Sequence, residues 1–153
     1  MATEIEEFAY ELSLRSLTQQ EALLNEVRER TGILLAATAI AISLLGGRAL
    51  DDGARTLLDL SGVALGIVSF LLSVYVLAPK GRFSFSPHGW ETYEYFVAHG
   101  SDVFEAQRIL TYWNREIWDD NQQVIDRMLT SFRWACFALV AAVVVWSVGL
   151  ALQ

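Results

Sequence analysis

The sequence predicts an all-α integral membrane protein with three transmembrane helices, N-terminal cytosolic helices and a long helix leading into the last span. Three observations predict it. Apolar residues make up 54% of the 153 and charged residues only 19%, which is heavy for a soluble fold of this size. The apolar residues are also blocked: 32–47, 60–78 and 134–153 are charge-free runs of 16, 19 and 20 residues. Such runs match a bilayer, because roughly 20 helical residues rising about 1.5 Å each span about 30 Å of hydrocarbon. Finally, positive charge is distributed unevenly around the runs. Nine of the 11 Lys and Arg precede the first run or lie between the second and third, and only Arg48 and Arg55 lie between the first and second. Positive flanks are retained in the cytoplasm, so the N-terminus and the long central segment are expected inside and the C-terminus outside.

In chain order, residues 1–30 read as amphipathic helices, 31–50 as the first span and 57–78 as the second. Residues 80–131 read as a helical cytosolic region and 132–152 as the third span. The N-terminal part reads as two helices, opened by capping boxes at Thr3 with Glu6 and at Thr18 with Glu21. The first is expected to bury Ile5, Phe8 and Leu12; the second carries Leu23, Leu24 and Val27 and continues into the span. Glu4, Glu6, Glu7 and Glu11 make a secretory signal a poor reading, so the mature chain is expected to begin near Met1. The first span is short, but Ala49 and Leu50 can extend it while Arg48 snorkels to the headgroups.

Asp51, Asp52 and Gly53 mark a short outer loop, and Pro79 the exit from the second span. Phe83, Phe85, Trp90, Tyr93, Tyr95 and Phe96 follow, with Ser86 and Pro87 as a helix start. This aromatic helix fits the inner membrane surface and fits equally well a cap over the cytosolic helices. His99 and Gly100 close it, and Asp102 with Glu105 caps the next. From there Val103, Leu110, Ile117 and Val124 recur every seven residues with Ala106 and Trp113 beside them, in a helix of roughly 50 residues and about 75 Å. The N-terminal helices, or the same helix of another subunit, would cover that stripe.

Small residues line the spans: Gly32, Ala36, Ala39, Ser43 and Gly47 in the first, and Gly62, Gly66, Ser69 and Ser73 in the second. The third carries Ala135, Ala138, Ala142 and Gly149. Such faces let helices approach closely in lipid, within one chain or between subunits. No span carries a charge near its midpoint, which removes the usual sign of an ion or proton pathway; Asp59, at an edge, reads as a solvated interfacial residue.

Chemistry is sparse. His88 and His99 stand 11 residues apart, roughly 16 Å along a helix and too far to share a metal. Glu116, Asp119 and Asp120 could hold a hard cation, but a solvated acidic face is the commoner meaning of such a cluster. No metal or other cofactor is expected, and no phosphate loop or nucleophile motif supports an enzyme. Cys136 is the only cysteine, lies in the third span and reads as a packing residue. A net charge of -7 argues against nucleic acid. Lys80 with Arg82, or Arg108 with Arg115, could grip an anionic ligand, against the plainer reading of topology signal and solvated surface.

The order of parts is a helix entering Arg30-Thr31-Gly32-Ile33-Leu34-Leu35, two close spans, Arg82-Phe83 with Pro87 and Tyr93, a long helix and a last span. It resembles the Pycsar-type small transmembrane effectors of bacterial antiphage defence over roughly 18–150, mostly as architecture. The chain departs from the family pattern at Arg28 and Thr31, where an acidic residue and Ala are usual. The resemblance implies a homo-oligomer that receives a cyclic pyrimidine nucleotide from a partner cyclase and impairs the inner membrane. The competing class is a non-enzymatic scaffold or assembly protein whose cytosolic helices dock a protein partner.

Overall fold

The computed structural model describes residues 2–47, 57–80, 83–86 and 89–151, with side chains from Glu4 onward. The protein is all-α: α1 (Ala2–Ala41) passes into a π-helical turn (Ile42–Gly46), followed by α2 (Leu57–Leu77), α3 (Gly89–His99) and α4 (Val103–Ala151). Three of the four helices, α1, α2 and α4, are long and apolar enough to cross a membrane. Expectations placed on Arg48, on the loop from Asp51 to Gly53, and on Arg82, Pro87 and His88 fall outside the described residues.

α1 is one helix of 40 residues, not two. The break expected at Thr18 does not occur, because its hydroxyl bonds back to the Leu14 carbonyl at 3.0 Å inside the helix. A Thr hydroxyl can serve either arrangement, and here the buried 3-and-4 spacing of Leu17, Gln20, Leu24 and Val27 continues straight through. That spacing also sets which face is buried: Leu17, Gln20, Leu24, Val27, Thr31 and Thr38. Ile5, Phe8 and Leu12, expected in a core, lie off this line and are exposed. Exposed pairs Arg15–Glu11 at 3.6 Å and Arg30–Glu26 add little to stability.

The ends of α3 and α4 follow the chemistry of the residues between them. Gly100 adopts φ +60, and the N–H groups of Gly100 and Ser101 reach the carbonyls of Val97 and Phe96. This closure needs a residue at ease in the left-handed region. Two residues on, Asp102 Oδ1 accepts from the Glu105 N–H at 2.8 Å and opens α4.

The described residues form two compact units. The first comprises Met1–Asn25 and Lys80–Asp126, the second Glu26–Pro79 and Arg127–Gln153. In the first, the buried line of α4 carries Asn114 and Asn121 rather than the expected stripe: Val103 is exposed, and Leu110, Ile117 and Val124 are only half-buried. The NH2 group of each buried amide finds an acceptor. Asn114 Nδ2 donates to Ser13 Oγ at 2.9 Å and Asn121 Nδ2 to the Ser84 carbonyl at 2.8 Å. From α1, Gln20 Nε2 donates to the Trp118 carbonyl at 3.0 Å and to Gln122 Oε1 at 3.1 Å.

In the second unit, Trp146 of α4 sits at the centre of a cluster with Ala142, Ile42, Leu45 and Val63. Gly62 and Gly66 are buried beside it: a Cβ on Gly62 would stand 2.5 Å from Trp146 Nε1, and one on Gly66 3.0 Å from Ile42 Cγ1. The π-helical turn adds a residue to the α1 repeat, so Gly46 rather than Leu45 becomes the buried position, facing the Trp146 ring. Ser69 and Ser73 continue the buried line of α2, and Ala135, Ala138, Ala142 and Gly149 are buried on α4. Along α1 and the turn that follows it, however, Gly32, Ala36, Ala39, Ser43 and Gly47 are all exposed, because the line through Thr31 and Thr38 is the one turned inward.

Asp59 differs from its sequence reading as well. Only 2% exposed, it is not a solvated edge residue. It heads the same line as Gly62, Gly66, Ser69 and Ser73, and the missing side chain of Gly149 leaves room for its carboxylate: a Cβ there would stand 3.3 Å from Asp59 Oδ1.

Ser69 Oγ lies 3.2 Å from Thr38 Oγ1 and donates to the Ala135 carbonyl at 2.9 Å, so one hydroxyl joins α1, α2 and α4. Polar contacts between helices in lipid contribute about 0.6 kcal/mol on average and about 1.7 at most. Ser69→Ala is expected to cost an amount in that range, read as a lowered melting temperature in detergent. Adding Thr38→Ala should cost less than its effect alone, because its partner is already gone.

Candidate functional site

The first unit holds an open cleft of about 550 Å³ formed by 83–86, α3 and α4. Helical spacing of 3 and 4 brings Thr92, Tyr95, Phe96 and His99 to one face of α3, and Trp113, Glu116, Ile117 and Asp120 to one face of α4. Tyr95 meets Trp113 edge to face at 5.3 Å, Phe96 stacks on the same indole at 6.0 Å, and the His99 ring lies on Tyr95 at 4.3 Å. His99 Nδ1 is 2.7 Å from the Tyr95 carbonyl. The Asn121 bond to Ser84 holds the 83–86 segment at the rim.

Glu91, Glu116 and Asp120 line this cleft along with Tyr95 and Trp113. No ion pair to these three carboxylates is found among the described residues. A concave surface carrying carboxylates and aromatic faces attracts cations and hydrogen-bond donors and repels phosphate. Among the described residues no group of three His, Cys, Asp or Glu is placed to hold a metal ion. Asp119, which the sequence groups with Glu116 and Asp120, instead faces Arg115 at 4.0 Å.

A second opening, of about 420 Å³, lies between α1 and α4 and is bordered by Ser13, Ser16, Asn114, Arg115 and Trp118. In the second unit an apolar groove of about 460 Å³ runs between α2 and α4 past Leu65, Leu72, Trp134 and Phe137. Its composition suits an acyl chain.

The basic residues singled out in the sequence are dispersed. Arg108 and Arg115 are exposed on α4, seven residues or about 10 Å apart along the axis. Lys80 is half-buried after α2, and Arg82 lies outside the described residues. The sequence places Tyr95 in the aromatic helix and Trp113 beside the α4 stripe but does not show the cleft, because only the chain reversal at Gly100 brings the two helices face to face. No protein-family model, curated protein or solved structure matches this chain.

Proposed function

We propose that this membrane protein is a non-enzymatic effector of the Pycsar-like kind that its order of parts resembles. In this reading it works as a homo-oligomer in the inner membrane, with the N-terminus and the first unit in the cytoplasm and the C-terminus outside. It responds to a cyclic pyrimidine nucleotide from a partner cyclase and impairs membrane integrity as an antiphage defence. The observation that carries the reading is that α1 and α4 each supply residues to both units without a break, at 25–26 and at 126–127. A ligand that favours one packing of these helices in the first unit thereby biases their packing in the second.

The ligand phosphate falls to Arg108 and Arg115, whose guanidinium groups are accessible, with Lys80 and Arg82 as the other pair. The test is membrane potential, followed by dye in bacteria expressing the chain and supplied with cyclic CMP or cyclic UMP. Nucleotide-dependent depolarisation is expected, and the Arg108→Ala, Arg115→Ala double variant should lose it along with most nucleotide affinity. Unchanged affinity in that variant would remove these arginines from the site. An intact potential with verified insertion and nucleotide uptake would remove the effector reading.

A scaffold is the second reading, and the acidic, aromatic cleft favours it. Glu91, Glu116 and Asp120 beside Trp113 suit a Lys or Arg side chain of a docked protein better than they suit a phosphate.

A further inference from the structure

Two grooves of the second unit meet at one ring. The groove of about 460 Å³ between α2 and α4 and a shallower one of about 270 Å³ on the neighbouring face of α4 share Phe137 as a wall. Phe137 is 69% exposed, so its ring stands out from α4 as a ridge between them. On α4 the first groove runs from Ser131 to Ala141 and the second from Phe132 to Val140. Ten helical residues rise about 15 Å, half of the roughly 30 Å of hydrocarbon that α2 and α4 are long enough to cross. Each groove is thus about one leaflet deep.

Both grooves begin at a charged, aromatic end. Arg133 is exposed, borders the second groove and is the last charge before the charge-free run 134–153. Trp134 lines the first groove, is 63% exposed and lies 6.1 Å from the Phe137 ring. An indole at the edge of an apolar run settles at headgroup level, and an arginine there reaches the phosphates. Residues 127–153 contain Arg127 and Arg133 and no Asp or Glu. No ion pair to either arginine is found among the described residues.

We infer that these grooves seat one anionic phospholipid, with an acyl chain on each side of Phe137 and its phosphate on the Arg133 guanidinium. Two chains joined at one headgroup match two grooves, each a leaflet deep, that start beside one cation. Charge complementarity selects this occupant: a phosphate gives Arg133 a bidentate partner, whereas α4 of a second copy carries the same arginines and offers no counter-charge. It also favours a net negative headgroup over a zwitterionic one, whose ammonium would meet the arginines. The inference stands apart from the effector reading, since a scaffold could hold the same lipid.

The test uses the full chain in bilayers of equal phosphatidylglycerol and phosphatidylcholine, released into detergent, with the retained lipids counted by native mass spectrometry. One phosphatidylglycerol per chain is expected to remain. Arg133→Gln alters an exposed side chain and should lower that retention about tenfold, the scale of a lost charge-assisted contact. Ala141→Trp, which fills the first groove and leaves the charge in place, should lower it as well. Arg30→Gln removes an exposed arginine of α1 that borders neither groove and should keep the lipid. Equal retention of the two lipids, phosphatidylglycerol kept in full by Arg133→Gln, or the same loss in Arg30→Gln would overturn the proposal. So would an Ala141→Cys, Cys136→Ser chain that oxidises to a covalent dimer in the same bilayer, which would give the groove to a second copy.

Discussion

Trp146→Ala is expected to destabilise the second unit by about 3–5 kcal/mol, the usual range for emptying a buried aromatic site. Trp146 is 1% exposed, and three of the residues around it are glycines that cannot fill the space it would leave. Gly46, Gly62 and Gly66 have no side chains to move in, and the helix backbones that bear them are held by hydrogen bonds of their own. The check is thermal unfolding of the purified protein in detergent, compared with Trp146→Phe, which keeps an aromatic ring and should recover a large part of the loss. An unchanged melting temperature in Trp146→Ala would mean that α1, α2 and α4 are not joined through this ring.

Gly62→Val is the complementary change and is expected to cost toward the upper end of the roughly 1–3 kcal/mol typical of overpacking. The first added carbon already stands 2.5 Å from Trp146 Nε1 and 2.7 Å from Cδ1, so the indole must leave its place. The two changes meet in one volume and should not be additive. Gly62→Val placed on Trp146→Ala should cost far less than it does alone, and a double-mutant cycle in the same unfolding assay measures the difference. Full additivity would show that the valine is accommodated away from the ring.

Much of the fold is legible in the order of residues. Charge-free runs give three helices long and apolar enough to cross a membrane, the first once flanking residues lengthen its run of 16. Gly100 and Asp102 give the junction of α3 and α4, since a left-handed residue and a side-chain acceptor act locally and need no distant neighbour. The continuity of α1 was not legible at Thr18. A hydroxyl there is equally at home capping a new helix or bonding back within an old one, and here it bonds back to the Leu14 carbonyl.

The candidate site was less legible. The carboxylates at Glu116 and Asp120 were visible as an acidic patch, but their relation to Tyr95 and Glu91 depends on how α3 folds back onto α4. The basic residues stood out by charge, and charge alone does not bring residues together: Arg108 and Arg115 remain on an open helix surface, and Arg115 faces Asp119.

What the sequence by itself determined is the helical class and the positions of the three apolar spans. Both follow from properties summed over a single segment. Only the tertiary structure decided which face of α1, and of α4 before its apolar run, is buried. α4 carries two seven-residue repeats, one through Leu110, Ile117 and Val124 and one through Asn114, Asn121 and Met128, and the polar one lies deeper. α1 likewise carries a line of small residues and a line through Thr31 and Thr38, and the second is buried. In lipid, apolar side chains are equally comfortable facing a helix or the bilayer, so along the apolar run that holds Thr31 and Thr38 hydrophobicity does not rank the faces. The ranking comes from close contacts and hydrogen bonds between helices, such as the one Ser69 makes to Ala135, and these exist only once the neighbours are in place.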